Sequence, residues 1–460
     1  MIKHYYKTYP AALILFFFLT VFFTISLCLP TDDLLRDVLS WKYGFDYTKL
    51  FPYAPLNPQY NQYIGFDYLM YLVQRVAGFG IKGQNLAVHI SQVISFIGFY
   101  LAGLYVFDKY LSRFQIKNKD FWMFIIICGV VSSTIGRIII GRPEMWFTIW
   151  AISALGVFYR GRTSKIVWII MGLIMVPLYW LALLYTPFTI LVFRSKLKSI
   201  LLFLTFVIVN ITFWQMYSNG LWIHNFELLK LCFANRIPTL LVAENESAYY
   251  ILTMPLFIVI LYLSLIKLKG INLKARVKTL SVNYILDSYA LKLIIVISFY
   301  LFFINMVRYI GVLSFLFLAL GFNIFNDLIK DFNIPEIPRN IIYLVLAMVM
   351  VQNVKGSTSI IDGDYHIPRD SKVLVLMRDG VYAIPYFNKS PIQIVPSMEI
   401  GGNKQWVQKI LVTALDNGVV NCDEIQHRFD YVAEKSLTNI PTCLDLYQVN
   451  GDIRIWKIKQ

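Results

Sequence analysis

The sequence predicts an all-α polytopic membrane domain of about 11 transmembrane helices with a small C-terminal α/β domain. Hydrophobic residues make up 58% of the 460 positions and charged residues only 15%, whereas soluble proteins are roughly 45–50% apolar and about 25% charged. Up to residue 354 the apolar residues form runs long enough to cross a bilayer. From residue 355 onward the apolar runs are short and are separated by turn residues.

The first predicted span covers residues 11–29 and follows Lys3 and Lys7. The stretch 166–193 is either one long helix or two short helices broken at Pro177 and Pro187, and two short helices give eleven spans. The remaining spans lie near 85–107, 120–137, 144–158, 199–215, 249–266, 293–307, 310–325 and 340–354.

The distribution of Lys and Arg decides between one helix and two helices at 166–193. With eleven spans, the loops on the side of the N-terminus hold twenty Lys and Arg residues, whereas those on the other side hold nine. Cytoplasmic loops carry such an excess, so the N-terminus is expected in the cytoplasm and the C-terminus on the opposite side of the membrane. The net charge of +15 lies entirely in this membrane region, so nucleic acid is not an expected partner.

The predicted domains are a transmembrane domain over 1–354, including an amphipathic first outer loop over 30–84, and a periplasmic α/β domain over 355–460. In the second domain, strands are expected at 372–377, 392–395, 446–449 and 453–458, and a helix at 405–415. Asn450-Gly451-Asp452 predicts a hairpin. Cys422 and Cys443 either form a disulfide or remain thiols. No zinc motif occurs, so no metal ligand is assigned.

The first candidate site follows span 1, where Thr31, Asp32 and Asp33 precede Arg36 and Asp37. Ionisable residues at membrane depth are costly and indicate function. The structural alternative is that Thr31 or Asp32 caps a helix that starts near Leu34. Capping accounts for one carboxylate of the pair but not for both.

A second candidate is the outer turn between spans 3 and 4, which holds Arg137, Arg142 and Glu144. Guanidinium groups suit phosphate oxygens. The structural alternative is that Pro143 occupies the first helical position and Glu144 favours the helix N-terminus.

A third candidate is Arg308-Tyr309, which interrupts the apolar run 293–325 at the outer end of a span. Contact with a lipid phosphate and simple snorkelling to the interface are both open for Arg308. The outer loop 216–248 offers Trp222, His224 and Glu227 as weaker acceptor-side residues, although no spacing singles them out.

Together these features resemble the GT-C superfamily of integral-membrane glycosyltransferases. The similar features are the carboxylate pair after span 1, the amphipathic first outer loop, the basic-acidic turn before span 4, the late Arg-Tyr and the C-terminal domain. Asp32-Asp33 stands where many members carry Asp-Glu. Similar relatives include protein O-mannosyltransferases, lipid A aminoarabinose transferases, pilin glycosyltransferases and serotype-converting O-antigen glucosyltransferases.

The resemblance implies that a monosaccharide is transferred from a polyprenyl-phosphate donor, such as a sugar linked to undecaprenyl phosphate, to a periplasmic acceptor. The transfer would be a direct displacement at the anomeric carbon. The acceptor would be O-antigen, lipopolysaccharide, another glycan or lipid, or a pilin. It implies Asp33 or Asp32 as general base, Glu144 as an orienting group, and Arg142, Arg308, Arg137 and Tyr309 at the donor phosphate. The resemblance leaves open whether a divalent cation, in addition to the arginines, contacts the leaving phosphate.

Two other functions remain as alternatives. An O-antigen ligase or polymerase also acts on lipid-linked glycans at the outer face, but a large loop rich in Arg and His is typical of it, and loop 216–248 has one of each. A non-enzymatic flippase for lipid-linked sugars needs no carboxylate pair at the end of span 1. Replacing that pair therefore discriminates between a flippase and a transferase.

Overall fold

The computed structural model describes most of the chain and divides it into two compact units. The described residues are 2–25, 29, 34–53, 63–112, 116–218, 288–300, 310–329, 335–356, 363–377, 381–396, 405–417, 420–435, 437 and 439–459. The first unit contains the described residues up to 25 and from 92 to 356, and the second contains those from 29 to 91 and from 363 onward.

The first unit is helical throughout its described residues, as its apolar composition predicts. Its α-helices are Ile2–Thr8, Pro10–Ile25, Lys119–Ile140, Pro143–Val157, Arg162–Met175, Lys196–Ser218, Ser288–Phe299, Ile310–Ile329 and Glu336–Gly356. The unit boundary falls within a further helix, Ile81–Ser112. The predicted span 249–266 and the second half of span 293–307 lie outside the described residues.

The ambiguous stretch 166–193 is broken in the structure. The helix Arg162–Met175 is followed by a 3₁₀ turn, Val176–Leu178, and Tyr179 is extended with φ −151° and ψ 119°. Trp180–Leu191 then forms a 3₁₀ helix around Pro187. Proline lacks an amide hydrogen and clashes with the carbonyl four residues earlier, which explains why a regular α-helix does not continue here. The two segments are therefore separate, whereas the total of eleven spans stays a prediction.

Two described helices are long and apolar enough to cross a membrane, Ile81–Ser112 and Lys196–Met216. Shorter apolar helices occur at Pro10–Ile25, Ala182–Leu191 and Val312–Phe322. Bulky apolar side chains are exposed along several helices of the first unit, among them Phe17, Phe18, Ile174, Ile208, Leu344 and Met348. Soluble monomers rarely expose contiguous apolar surface of this kind, and a lipid environment accounts for it.

The predicted orientation is testable with reporter fusions. A reporter that is active only in the periplasm is expected to show activity when it is fused after Lys355. The reason is that the loop charges predict a cytoplasmic N-terminus, and eleven spans separate the two ends. A fusion after Lys117 should give the opposite result. Cytoplasmic activity after Lys355 would contradict the eleven-span arrangement.

The second unit combines the described residues 29–91 with the C-terminal domain. Its helical elements are Leu34–Leu39, Ser40–Tyr43 (3₁₀), Tyr47–Lys49 (3₁₀), Ile64–Ala77, Ala383–Phe387, Gln405–Asn417 and Cys422–Ile425. The amide of Ile394 donates to the Leu50 carbonyl at 2.8 Å, and the Tyr43 hydroxyl donates to the Ile392 carbonyl at 2.8 Å. These bonds tie the segment 34–53 to the edge of the sheet.

The C-terminal domain is a five-stranded mixed sheet. Its strands are β1 Lys372–Leu376, β2 Gln393–Pro396, β3 Tyr431–Glu434, β4 Leu444–Asn450 and β5 Ile453–Ile458, in the order β2-β1-β3-β5-β4. β1 runs parallel to β2 and β3, and β5 runs antiparallel to β3 and β4. The predicted strands, the helix and the hairpin are confirmed, and Gly451 turns the hairpin with φ +61°.

The structure also settles the pairing of the two tail cysteines. Cys422 and Cys443 form a disulfide with a Cα–Cα distance of 5.8 Å, inside the range of roughly 4.4–6.8 Å that bridging requires. Cys443 lies in the same apolar core as Val407, Leu411, Val432 and Trp456. The bridge therefore joins the short helix Cys422–Ile425 to the turn that precedes β4.

Candidate active site

The turn before the helix Pro143–Val157 brings the first pair of candidate residues together. Gly141 has φ +70°, and a Cβ atom there would lie 2.9 Å from the backbone nitrogen of Gln92, so only glycine fits. Arg142 is the extended residue that precedes the helix, and Pro143 occupies its start. Proline is favoured there because the first helical amide needs no partner. The chain thus places Arg142 and Glu144 on either side of one proline.

Both charged residues of this turn are buried. Arg142 is 5% exposed and Glu144 is 2% exposed, although arginine and glutamate are almost never buried this deeply without partners. The Glu144 carbonyl accepts hydrogen bonds from Thr148 Oγ1 at 3.0 Å and from the Tyr185 hydroxyl at 3.1 Å. The start of the helix is therefore held by polar contacts with the 3₁₀ helix Trp180–Leu191.

This geometry supports the helix-start interpretation in part. Pro143 lies in the first turn and Glu144 follows it, as a favourable interaction with the helix N-terminus requires. That interaction needs neither a buried arginine nor a buried glutamate, because surface helices gain it with exposed carboxylates. Ionisable residues at membrane depth are by default hypotheses for a functional site, so Arg142 and Glu144 stay candidates.

A second buried charged group lies in the first outer segment of the other unit. The Arg36 guanidinium contacts Asp37 Oδ1, with Nε at 3.1 Å and Nη2 at 3.0 Å. The Tyr47 hydroxyl lies 3.2 Å from Asp37 Oδ1 and 2.9 Å from Asp67 Oδ2. We call Arg36, Asp37, Tyr47 and Asp67 the acidic cluster, since it contains two carboxylates and one guanidinium.

The acidic cluster is shielded from solvent. Asp37 is 0% exposed, Asp67 is 1% exposed and Arg36 is 7% exposed. Burial and then the two carboxylates, Asp67 before Asp37, raise the pKa of Tyr47 well above its usual value, so the hydroxyl keeps its proton and acts as a donor. The Arg36 guanidinium also lies 5.3–5.7 Å from three aromatic rings, those of Tyr47, Tyr63 and Tyr382.

The elements that carry the cluster explain its position. Arg36 and Asp37 lie on the helix Leu34–Leu39, which begins where the sequence predicted a helix start, immediately after Asp33. Asp67 lies on the helix Ile64–Ala77. The cluster therefore fixes the helix that directly follows the Asp32-Asp33 pair in the chain, whose own positions lie outside the described residues.

Sequence reasoning missed Asp67, Tyr47 and Tyr382. In the helix Ile64–Ala77 the buried residues are Phe66, Asp67, Met70 and Gln74. Asp67 and Gln74 are seven positions apart, so they share the apolar face of the helix with Met70. A polar residue on an apolar face was the feature in the sequence that could have identified Asp67.

The other candidate residues fall largely outside the described part of the chain. Asp32, Asp33, Arg308, Tyr309, Trp222, His224 and Glu227 all lie there. Arg137 lies within the helix Lys119–Ile140. Of the predicted site residues, Arg142 and Glu144 are therefore both described and both buried, and the roles of all the predicted site residues stay predictions.

The described residues contain no group of three or more His, Cys, Asp or Glu side chains suited to a metal ion. In the acidic cluster, the Arg36 guanidinium pairs with the carboxylate of Asp37. We therefore assign no residue to a metal.

Comparisons with known proteins give a similarity in structure but none in sequence. No protein-family model matches the sequence, and no curated protein matches it. The structure is similar to that of the archaeal oligosaccharyltransferase AglB from Archaeoglobus fulgidus, solved with an inhibitory peptide and a dolichol-phosphate, with a TM-score of 0.49 and 12% identity. The match covers 93% of this chain and 70% of that chain.

Proposed function

We propose that this protein is a membrane glycosyltransferase that moves a monosaccharide from a polyprenyl-phosphate donor to an acceptor on the periplasmic side of a bacterial inner membrane. The observation that carries the proposal is the buried pair Arg142 and Glu144 at the start of the helix Pro143–Val157. A lipid-linked sugar needs a cation for its phosphate and a polar group for its sugar, both at membrane depth.

The reaction is a direct displacement at the anomeric carbon. The acceptor hydroxyl loses its proton to the carboxylate of Asp33 or Asp32 as its oxygen bonds to the anomeric carbon. The bond from that carbon to the phosphate oxygen breaks, and its electron pair leaves with the polyprenyl phosphate. One displacement inverts the anomeric centre. O-antigen or another surface glycan is the proposed acceptor.

The arginines act on the leaving group. Charge builds on the phosphate oxygens in the transition state, and preorganised cations in a dry site stabilise it. We assign Arg142 and Arg308 to the phosphate, with Arg137 and Tyr309 beside them, and Glu144 to the orientation of the sugar. In this account the acidic cluster is structural, because it holds the helix that follows the catalytic aspartates.

Replacing Glu144 by Gln is expected to lower turnover about 10²-fold, a size typical for loss of one preorganised polar group. Arg142→Gln is expected to lower kcat/KM for the lipid donor roughly 10–10²-fold, because a charge-assisted bond to the phosphate worth roughly 1.5–3 kcal/mol is lost as charge builds in the transition state. Initial rates at varied donor concentration, with purified protein in detergent, measure both effects.

Glu336→Gln is the matched control, because Glu336 also lies in the first turn of a helix but is exposed. It should leave turnover unchanged. The melting temperatures of both variants are recorded as well. If Glu144→Gln leaves turnover unchanged and lowers the melting temperature no more than Glu336→Gln does, then Glu144 serves the helix terminus alone. The proposal would then lose its main support.

A further inference from the structure

A basic patch lies on the first unit, where two loops of the predicted cytoplasmic side meet. We define it by Arg160, Lys165, Arg194 and Lys198. The chain segments 158–165 and 193–199 contain no Asp or Glu. Within the described part of the chain these four cations form no ion pair with a carboxylate. An excess of positive charge alone follows the general bias of cytoplasmic loops, so the patch needs further evidence to count as a site.

The cations of the patch are organised by aromatic rings. Lys165 Nζ lies 5.8 Å from the ring centroid of Phe158 and 5.4 Å from that of Phe193, and the Arg194 guanidinium lies 5.9 Å from that of Phe158. Burial, followed by the charges of Arg194 and Lys198, lowers the pKa of Lys165. Like charges are therefore held close together, and a bound anion would reduce the repulsion between them.

A buried lysine fixes the second loop. Lys292 Nζ donates to the carbonyls of Phe193 and Arg194 and, at 3.0 Å, to Ser199 Oγ. These bonds hold the backbone that carries Arg194. Loops whose cations merely face water do not need such an anchor.

An apolar groove begins at this patch. It has a volume of about 560 Å³ and lies between the helices Ile81–Ser112, Pro143–Val157 and Arg162–Met175. Thr163 and Ser164 line it next to Lys165, and Val167, Trp168 and Met171 continue along the same helix. Tyr105 also lines the groove, and its hydroxyl accepts a hydrogen bond from Arg160 Nε at 3.3 Å. Arg160 of the patch thus contacts a residue that lines the groove, and Lys165 follows two lining residues in the chain.

We propose that the groove and the basic patch together bind an anionic phospholipid, with its phosphate at Lys165 and Arg194 and an acyl chain along the groove. Charge complementarity selects this occupant, because a lipid with a net negative headgroup matches the excess of cations and a zwitterionic lipid does not. The site is separate from the proposed transfer reaction and does not depend on it.

Lipid retention measured by native mass spectrometry tests the headgroup. The purified full-length protein in detergent is titrated with phosphatidylglycerol and with phosphatidylcholine of the same acyl chains. Wild type should retain phosphatidylglycerol more tightly. Lys165→Gln combined with Arg194→Gln should weaken that retention about 30-fold, the effect of two interfacial cations. Lys117→Gln combined with Lys119→Gln removes equal charge from another predicted cytoplasmic loop and should have no effect.

A second pair of variants tests the groove. Val167 lines the groove and Ile166 does not, although both are exposed on the same helix. Val167→Trp should displace the acyl chain and reduce phosphatidylglycerol retention, whereas Ile166→Trp should not. Equal binding of the two lipids by wild type, equal loss in the Lys117/Lys119 control, or equal effects of the two tryptophans would overturn the proposal.

Discussion

Replacing Asp33 by Asn is expected to lower glycosyl transfer by 10²–10⁴-fold, the usual contribution of a general base. Asparagine keeps the shape of the side chain and removes its basicity, so the variant should still insert and fold. Adjacent helical side chains point about 100° apart, and only one carboxylate of the pair can face a given acceptor. The measurement is single-turnover transfer with saturating donor, with the melting temperature recorded in parallel.

Asp32→Asn is the internal control for this experiment. Under the capping alternative Asp32 caps the helix near Leu34, so its replacement should cost at most the roughly 0.5–2 kcal/mol of a lost cap. A reversal of the two effects would make Asp32 the base and leave the mechanism intact. Near-full activity of both variants would exclude a carboxylate base at this position.

Arg36→Leu is expected to be the most destabilising single change in the second unit. It leaves the carboxylates of Asp37 and Asp67 buried without the guanidinium, and breaking a buried ion pair in this way typically costs about 3–5 kcal/mol. The loss should appear as a marked fall in the melting temperature of the full-length protein in detergent. Transfer should fall with it, because the helix Leu34–Leu39 directly follows Asp32 and Asp33, the pair proposed to be catalytic.

Two further variants make the Arg36 result interpretable. Arg75→Leu removes an exposed arginine from the same unit and should be nearly neutral. Adding Asp37→Asn to Arg36→Leu removes one of the stranded charges and should recover part of the lost stability. A neutral Arg36→Leu variant would mean that the acidic cluster does not hold the segment.

The parts of the fold that depend on local chemistry could be predicted from the sequence. Asn450-Gly451-Asp452 favours a tight turn, and the hairpin β4–β5 closes there with Asn450 opposite Ile453. The prolines at 177 and 187 predicted the break within 166–193, and Tyr179 is the extended residue at which it occurs. The Cys422–Cys443 bridge was one of two open alternatives, and the structure selects it.

The parts that depend on distant segments were missed. The central strand β3 has four residues and ends at the buried Glu434, which contacts Arg454 at 2.7 Å and accepts a hydrogen bond from Trp456 at 2.9 Å. Neither partner is adjacent in sequence, so the strand gave no clear pattern. The acidic cluster was missed for the same reason, because Asp67 reaches Tyr47, and Tyr382 reaches Arg36, only through tertiary packing.

Mass spectrometry of surface glycans tests the central claim of sugar transfer most directly. Cells that make the wild-type protein, cells that lack it and cells that make the Asp32→Asn, Asp33→Asn double variant are compared at equal protein levels. The account predicts that one additional monosaccharide is present on the surface glycan of the first cells and absent from the other two. Identical glycans in all three, or a modification that persists in the double variant, would contradict it.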